Sequence, residues 1–551
     1  MHKNNFSKHK QNRLRCTMDG VLLAFAPLGN HEHPHLGLPL LKAYLSDHGI
    51  SRCILRDYNV VIMDRIMVDL MTGDKKVLFG KGDTDVLRLY RGAKEIMRGC
   101  TSSDKLKSGW AMDFISNYLR IAGGCIGEIS FDPVSFSAIE EEFQKTDMNA
   151  SNNKVIEYIR DEVVKDILEY NPRVLGFSLI FASQIYYTFL ICREVRKWKP
   201  DIKIVFGGPQ VSLFWKAFIN SKIFTPYFDV IVKEQGESAI LSLCNYWING
   251  IGSLENIPNI IFKDGILSYK VNPIGANIEM DHVAIPDFRD MPLELYSYAK
   301  LPYMMTRGCY WGRCAFCGYR GSHNKHLTSS KEKIINDIKT LKERHNIRIY
   351  HLMDDAIAPS YLLDVANEII KTELDITYAA FLRTERAFTK EVCDVLCKSG
   401  LKAVLFGLES ANQRVLDTMD KHMDLSTMVE VLSNFKNAGI SNYLSCIIGF
   451  PTETKSEAYD TIRFLEERKD LYYKAYITPF RLLSDMVDCP EKFSMDSIDF
   501  TNPVRHDKNG YVSLEYSYRV NEGMSIEESL EVMREARIRV NSVPPGPIFF
   551  R

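Results

Sequence analysis

The chain lacks an excess of charge of either sign. Its 69 Lys and Arg residues stand against 70 Asp and Glu, for a net charge of −1. With no whole-molecule field, neither nucleic acid nor an anionic membrane is an expected partner. A secretory leader is missing too: residues 1–15, MHKNNFSKHKQNRLR, are polar and basic with no apolar core. They read as a frayed terminus of a cytoplasmic chain. Long apolar runs are scarce. Residues 174–191, VLGFSLIFASQIYYTFLI, carry no charge and are about long enough to cross a bilayer. Gly176, Ser178, Ser183, Gln184 and Thr188 interrupt them, so they read as a buried strand over 174–180 and a helix ending near Lys199. The 13 cysteines have no regular spacing, which argues against a disulfide framework and for metal ligation or core packing in a reducing compartment.

What is present is a long chain of ordinary composition: 551 residues, 46% hydrophobic and 25% charged, enough for two or three domains. Residues 20–28, GVLLAFAPL, form a continuous apolar run of the kind that fills a fully buried parallel strand. LGLPLLKAYLSDHGI then has helical periodicity and closes at Gly49. RCILRDYN, RVLGFSLIF, IKIVFGGP and DVIVKEQGE are further strands separated by helical patterns. Such alternation predicts a doubly wound parallel sheet, whose ligands sit beyond the carboxyl ends of the strands. The loops there are 29–37, 178–184, 207–212 and 234–238. Gly207 and Gly208 either admit a bulky ligand close to the backbone or simply turn the chain. Residues 63–165 interrupt the rhythm and read as a mainly helical insertion.

The stretch TRGCYWGRCAFCGYRG, residues 306–321, puts Cys309, Cys314 and Cys317 within nine residues, with no fourth cysteine nearby. A structural zinc site wants four ligands, and a four-cysteine iron–sulfur cluster wants a fourth thiolate. Cys393 and Cys397 lie four apart on an apparent helix and read as core residues. Three thiolates can instead hold three irons of a [4Fe–4S] cube and leave the fourth open. The loop resembles the cluster loop of radical S-adenosylmethionine (SAM) enzymes, in which SAM chelates the open iron. The first gap, CYWGRC, is one residue longer than the commonest spacing of that family. After it, strands end at Asp354 and Asp355, at Arg383, at Gly407 to Ser410, at Gly449 to Glu453, and near Pro479. Helices are expected at 331–344, 361–371, 390–398, 425–438 and 455–468. The resemblance implies a partial (β/α)6 barrel with its site at the strand C-termini.

Carried over by position, the resemblance assigns Phe316, Arg383, Glu409, Ser410, Ile447 and Gly449 to SAM. Asp354 and Asp355 either contact SAM or substrate, or cap the following helix. With the sheet in front of it, the barrel resembles the cobalamin-dependent radical SAM branch over residues 20–485. On that resemblance Leu36, Gly37, Ser178, Gly207, Gly208, Pro209, Gly236 and Glu237 line the cobalamin site. The branch's usual G-E-G-E is here Glu234-Gln235-Gly236-Glu237, and no Asp-x-His-x-x-Gly motif is present. His31, His33 and His35 crowd the first loop and read as solvent-exposed rather than as cobalt ligands.

The expected layout is a free N-terminus (1–19), a cobalamin-binding domain (20–285), a linker (286–300), the barrel (301–485) and a C-terminal region (486–551) with a capped amphipathic helix. An open, partly apolar cavity between Gly208 and the pair Arg383 and Glu409 is expected to face the cysteines. The resemblance implies three cofactors, a [4Fe–4S] cluster, SAM and cobalamin. It also implies an external electron donor and a small-molecule or peptide substrate, most simply methylated at an unactivated carbon. The alternatives are radical rearrangement or cyclisation, a tRNA methylthiolase-like activity, and a non-catalytic cobalamin sensor with a structural cluster.

Overall fold

The computed structural model describes residues 20–29, 31–72, 90–95, 135–265, 268–318, 326–482, 486–487, 498, 504–506 and 512–540. The helix expected over 112–124 and the first 19 residues lie outside them. The first sheet contains β1 (Val21–Phe25), β2 (Cys53–Asp57), β3 (Val174–Ser178), β4 (Lys203–Gly207), β5 (Val230–Val232), β6 (Ile260–Lys263) and β7 (Tyr269–Val271). Their order is β2-β1-β3-β4-β5-β6-β7. β1 pairs in parallel with both β2 and β3, so strands on either side of the 63–165 interval share one sheet. All five residues of β1 are buried, which explains its unbroken apolar run. Helix Gly37–Asp47 covers one face with Leu38, Leu40, Ala43 and Leu45, and the chain leaves it through Gly49 at φ +89°. Ser183–Trp198 packs an aromatic layer on the other face, with Phe189 and Phe224 stacked at 3.8 Å.

β6 and β7 are an addition to the expected sheet. They are antiparallel to β5 and to each other, joined across Asp264-Gly265, a hairpin signal. Of the insertion, Phe136–Lys145 is a helix capped by Ser135, whose oxygen accepts the Ala138 N–H. A second helical stretch runs from Lys154–Tyr158 through a π turn at Ile159–Val163 into Val164–Tyr170. Phe136 and Phe143 meet Phe224 edge-on, so this part of the insertion belongs to the flank of the sheet.

The second sheet begins with β8 (Lys300–Tyr303). A short ribbon follows, β9 (Thr306–Arg307) with β10 (Leu327–Thr328). The sheet continues with β11 (Ile349–Leu352), β12 (Thr377–Leu382), β13 (Leu401–Glu409), β14 (Ser441–Ile448) and β15 (Lys474–Pro479). The order β15-β14-β13-β12-β11-β8 is parallel throughout. Helices Lys331–His345, Pro359–Lys371, Lys390–Lys398, Leu425–Asn437 and Lys455–Glu467 alternate with the strands, within two residues of their expected bounds. Ser330, Thr389, Asp424 and Thr454 cap four of them, Thr454 in a reciprocal box with Glu457. The result is the expected α/β class: a doubly wound sheet followed by an open six-stranded (β/α) barrel whose edges are β8 and β15. β16 (Val504–His506) and β17 (Val512–Ser517) form an antiparallel pair. Helix Ile526–Arg539 starts at a Ser525/Glu528 capping box and docks on the β15 edge, where Arg537 donates to the Ile477 carbonyl. No helix among the described residues is long and apolar enough to cross a membrane.

Residues 286–300 are packed against the first sheet rather than free. Lys42 pairs with Asp290 at 2.7 Å and Asp287 at 3.2 Å. Asp290 also accepts the Leu55 N–H at 3.0 Å, and the Tyr296 hydroxyl donates to Asp57 at 2.6 Å.

Candidate functional site

The four loops at the carboxyl end of the first sheet are tied into one rim. Gln184 Nε2 donates to the Ala26 carbonyl at 2.7 Å and Ser183 Oγ to the Leu28 carbonyl at 2.8 Å. The Leu179 N–H reaches the Gly207 carbonyl, and the Gln210 N–H reaches the Leu179 carbonyl. The Glu234 N–H meets Ser212 Oγ. Leu36 precedes the helix that opens at Gly37, Pro209 opens Pro209–Asn220, and Gly236 precedes Glu237–Asn249. Ser178 and Gly207 end β3 and β4.

Gly208 has a definite structural duty. Its φ is +97°, and a Cβ there would lie 2.6 Å from the Leu179 carbonyl oxygen. The turning role is therefore present, and a tryptophan at this position would displace backbone before it met any ligand.

Two expectations about this rim are corrected. His33 is buried, with its Nδ1 at 2.8 Å from the Pro34 carbonyl and its ring edge-on to His351 of β11 at 5.5 Å. His351 in turn stacks on Phe381 of β12. His31 and His35 are half-buried, and burial lowers their pKa values to about 4 and about 3. The loop is not solvent-exposed because it lies against the second sheet. Glu32 stands 3.7 Å from Lys300, the first residue of β8, and feels the charge of Lys474, the first residue of β15. The Ser297 and Tyr298 N–H groups donate to the His31 and Glu32 carbonyls. Residues 31–33 thus fill the seam between the two edge strands, in space expected to be open. Burial raises the Glu32 carboxyl to about 7 despite the lysines. A narrow crevice lined by Leu36, Met280, Tyr303 and Met304 lies beside the loop.

At the other end of the second sheet, the cysteine loop is pinned to residues 419–421. The Ala315 N–H donates to the Met419 carbonyl at 2.9 Å, and Trp311 Nε1 to the Asp420 carbonyl at 3.0 Å. Cys309, Cys314 and Cys317 are free and partly exposed, whereas Cys393 and Cys446 on neighbouring elements are buried. Burial raises the Cys314 pKa, and the Lys421 and Arg383 cations oppose that rise. No three His, Cys, Asp or Glu side chains among the described residues converge as ligands of one ion. Thiolates that each hold a different iron of a cube stand wider apart than ligands of a single ion. Three free, partly exposed thiols on one pinned loop beside two cations are a donor set that fits such a cube.

Arg383 follows β12 and is held on three sides. Nε donates to Glu385 at 3.0 Å, Nη2 to the Lys421 carbonyl at 2.6 Å, and the guanidinium lies over the Trp311 ring at 4.3 Å. Glu409 ends β13 at φ +61° and takes a 2.7 Å ion pair from Lys421, both side chains buried. Gly407 leaves room for this pair, since a Cβ there would lie 2.3 Å from Glu409 Oε1. Lys421 also stands 5.5 Å from the centre of the Phe316 ring. It was not among the residues singled out from sequence, because it follows the helix Gln413–Thr418 at no strand end and in no recognisable pattern. Phe316 and Ile447 are half-buried beside one apolar cluster that includes Ala315, Phe450 and Phe480.

Ser410 is fully buried, with its hydroxyl 3.2 Å from Thr461 Oγ1. Its side chain therefore belongs to the wall of the sheet. Gly449 has φ +80°, donates its N–H to Glu453 at 2.5 Å, and is covered by Ser529 of the C-terminal helix. Asp354 caps no helix: the helix Pro359–Lys371 is preceded by Ala358 without a side-chain cap. Asp354 instead accepts the Met305 and Thr306 N–H groups at the entry to the cysteine loop, and burial raises its carboxyl to about 7. Asp355 is exposed.

The two sites are joined by Arg307, two residues before Cys309. Its guanidinium pairs with Glu237 and donates to Gln235 at 2.9 Å. The residues that depart from G-E-G-E thus hold the stem of the cysteine loop.

The Radical SAM superfamily model matches residues 303–465, and the B12 binding domain model matches residues 114–243. Together the two cover more than half of the chain. An uncharacterized methyltransferase of Pyrococcus horikoshii is 25% identical over 58% of this chain and 70% of its own length. The cytidylyl-2-hydroxyethylphosphonate methyltransferase of Streptomyces wedmorensis is 23% identical over 53% of this chain and 60% of its own. Among solved structures, the radical SAM methyltransferase TsrM of Kitasatospora setae, with cobalamin and a [4Fe–4S] cluster bound, aligns over 97% of this chain and 91% of its own. Its TM-score is 0.60 at 13% identity. The cobalamin-dependent SAM radical enzyme OxsB, with aqua-cobalamin and SAM bound, aligns over 95% of this chain and 66% of its own, with a TM-score of 0.61 at 14% identity. A B12-binding sheet joined through Arg307 to a radical SAM half with three free thiols makes this chain a member of the cobalamin-dependent radical SAM family, methyltransferase-like, whose cofactors are a [4Fe–4S] cluster, SAM and cobalamin.

Proposed function

We propose that the chain is a C-methyltransferase acting on an unactivated carbon of a small-molecule or peptide natural product, with electrons from an external donor. When bound, the cluster with SAM supplies radical hydrogen abstraction and cobalamin supplies methyl-group carriage. The observation that carries the reading is the juxtaposition of the two rims. The ion pair of Arg307 with Glu237 and the ring contact of His33 with His351 bring the carboxyl end of the first sheet against the cysteine-bearing half. A reaction that needs both cofactors on one substrate carbon requires that arrangement.

In this reading Cys309, Cys314 and Cys317 hold three irons. Arg383, with its planar fork, is suited to a SAM carboxylate. Glu409, fixed by Lys421, faces the ribose side. Phe316, Ile447 and Gly449 flank the adenine, with Ser410 as wall. Leu36, Gly37, Ser178, Gly207, Gly208, Pro209, Gly236 and Glu237 form the cobalamin rim. The seam filled by residues 31–33 keeps water from the lumen.

The test is anaerobic reconstitution with iron, sulfide, cobalamin, SAM and a low-potential reductant, followed by mass spectrometry against candidate substrates. A product heavier by one methyl group in place of hydrogen is expected, together with 5′-deoxyadenosine and S-adenosylhomocysteine. A product isomeric with its substrate, without S-adenosylhomocysteine, would replace the proposal by rearrangement chemistry. Failure to retain cobalamin would remove it.

A further inference from the structure

His35 is a buried imidazole whose Nε2 has no hydrogen-bond partner. Buried polar atoms are nearly always paired, and an exception calls for a missing partner. The ring lies in the loop after β1, two residues before Gly37, and is tilted on Phe25 with centroids 4.5 Å apart. Gly37 keeps the space beside it clear, since a Cβ at that position would stand 3.6 Å from His35 Cε1. His33 differs. Its Nδ1 is engaged by the Pro34 carbonyl and its ring by His351. Burial keeps the His35 ring neutral, the form whose nitrogen lone pair binds a metal. The orphan atom thus sits in the cofactor rim, in ligating form, among residues that offer it nothing.

We propose that His35 Nε2 is an axial ligand of the cobalt of bound cobalamin. The inference rests on the reading of loop 29–37 as part of the cobalamin rim. The bond formed is from Nε2 to cobalt. The bond lost is that of water, or of the cofactor's own base, on the same face. The ring proton stays on Nδ1 and no electron is transferred. The Asp-x-His-x-x-Gly spacing is absent, so this histidine reaches the metal from a different register of the loop.

Electron paramagnetic resonance of the cobalt(II) form of the cobalamin-loaded protein tests this directly. Full-length protein is produced with 15N-histidine and unlabelled cobalamin. A histidine ligand splits each cobalt line into two. The cofactor's own 14N base splits it into three, and a nitrogen-free face leaves it unsplit. Two-line splitting is expected, with its loss in His35→Ala and its retention in His31→Ala and His33→Ala. Three-line or absent splitting in the labelled wild-type protein overturns the proposal while leaving cobalamin binding intact. Splitting that survives His35→Ala and vanishes in His33→Ala overturns it in favour of the neighbour. If His35→Ala does not hold cobalamin, the labelled wild-type spectrum together with the His31 and His33 variants still decides. Protein that retains no cobalamin on gel filtration defeats the underlying reading as well.

Discussion

At the residue scale, Lys421 does more than any position the sequence pointed to. It neutralises Glu409, stands over Phe316, offers its carbonyl to Arg383 and sets a cation near Cys314. Lys421→Met would leave Glu409 buried without a counter-charge. A buried charge stripped of its partner costs about 3–5 kcal/mol, and we expect a loss of that order in urea unfolding of the variant, largely recovered in Lys421→Met/Glu409→Leu. Glu453 carries a second expectation. Burial raises its pKa to about 8 from about 4.5. The folded protein therefore keeps a proton that the unfolded chain releases. The stability contribution present below pH about 4.5 is lost as pH climbs to about 8. Glu453→Gln should flatten that part of the pH–stability curve, measured by urea melts at about pH 5 and about pH 8. A slope unchanged in the variant would show that Glu453 does not bear it. Arg383, Glu409 and the three cysteines were legible because strand ends and cysteine spacing are local patterns. Lys421 was not, since its importance comes from neighbours brought to it by the fold.

At the scale of elements, apolar runs alternating with capped helical periods gave all five parallel strands of the first sheet and all six of the second. The edge hairpin β6–β7 was missed because its strands are three and four residues long and one side is exposed. The histidine loop was misread for a related reason. A polar loop looks solvent-bound until the surface that covers it is known, and here that surface begins with Ser297 and Lys300, far along the chain. The seam closed by residues 31–33 gives an expectation of its own. Lys300→Met removes the nearer cation from Glu32, and amide hydrogen exchange over 31–36 should speed by roughly tenfold, the factor that corresponds to ~1.4 kcal/mol. Exchange unchanged in the variant would mean that the carbonyl contacts alone hold the loop.

At the scale of the whole molecule, the two sheets are fastened at three places: Arg307 to Glu237, Lys42 to Asp287 and Asp290, and Glu32 to the two edge lysines. An Asp287→Asn/Asp290→Asn variant should uncouple the halves, so that calorimetry resolves two transitions where the parent shows one. A single unsplit transition in the variant would show that the other two fastenings suffice. Iron content belongs to this scale too. Reconstituted protein should hold about four irons, as one cube requires, and the Cys309→Ala/Cys314→Ala/Cys317→Ala variant should lose the cluster absorbance entirely. Fold class and the order of the halves could be read from the sequence. The fastenings could not, because each joins residues whose proximity only the docked halves create.

The plug between β8 and β15 has a consequence for heredity. The lumen of the cysteine-bearing half is closed by a loop encoded hundreds of residues upstream, ahead of the first sheet's own second strand. A gene cut between the two halves would yield a downstream polypeptide with an open flank, through which dioxygen could reach an oxidisable cluster. Recombination that swaps one half for a relative's must therefore carry a compatible Glu32 loop and edge lysines together, or the chimera will assemble in an anaerobic chamber and fail in air.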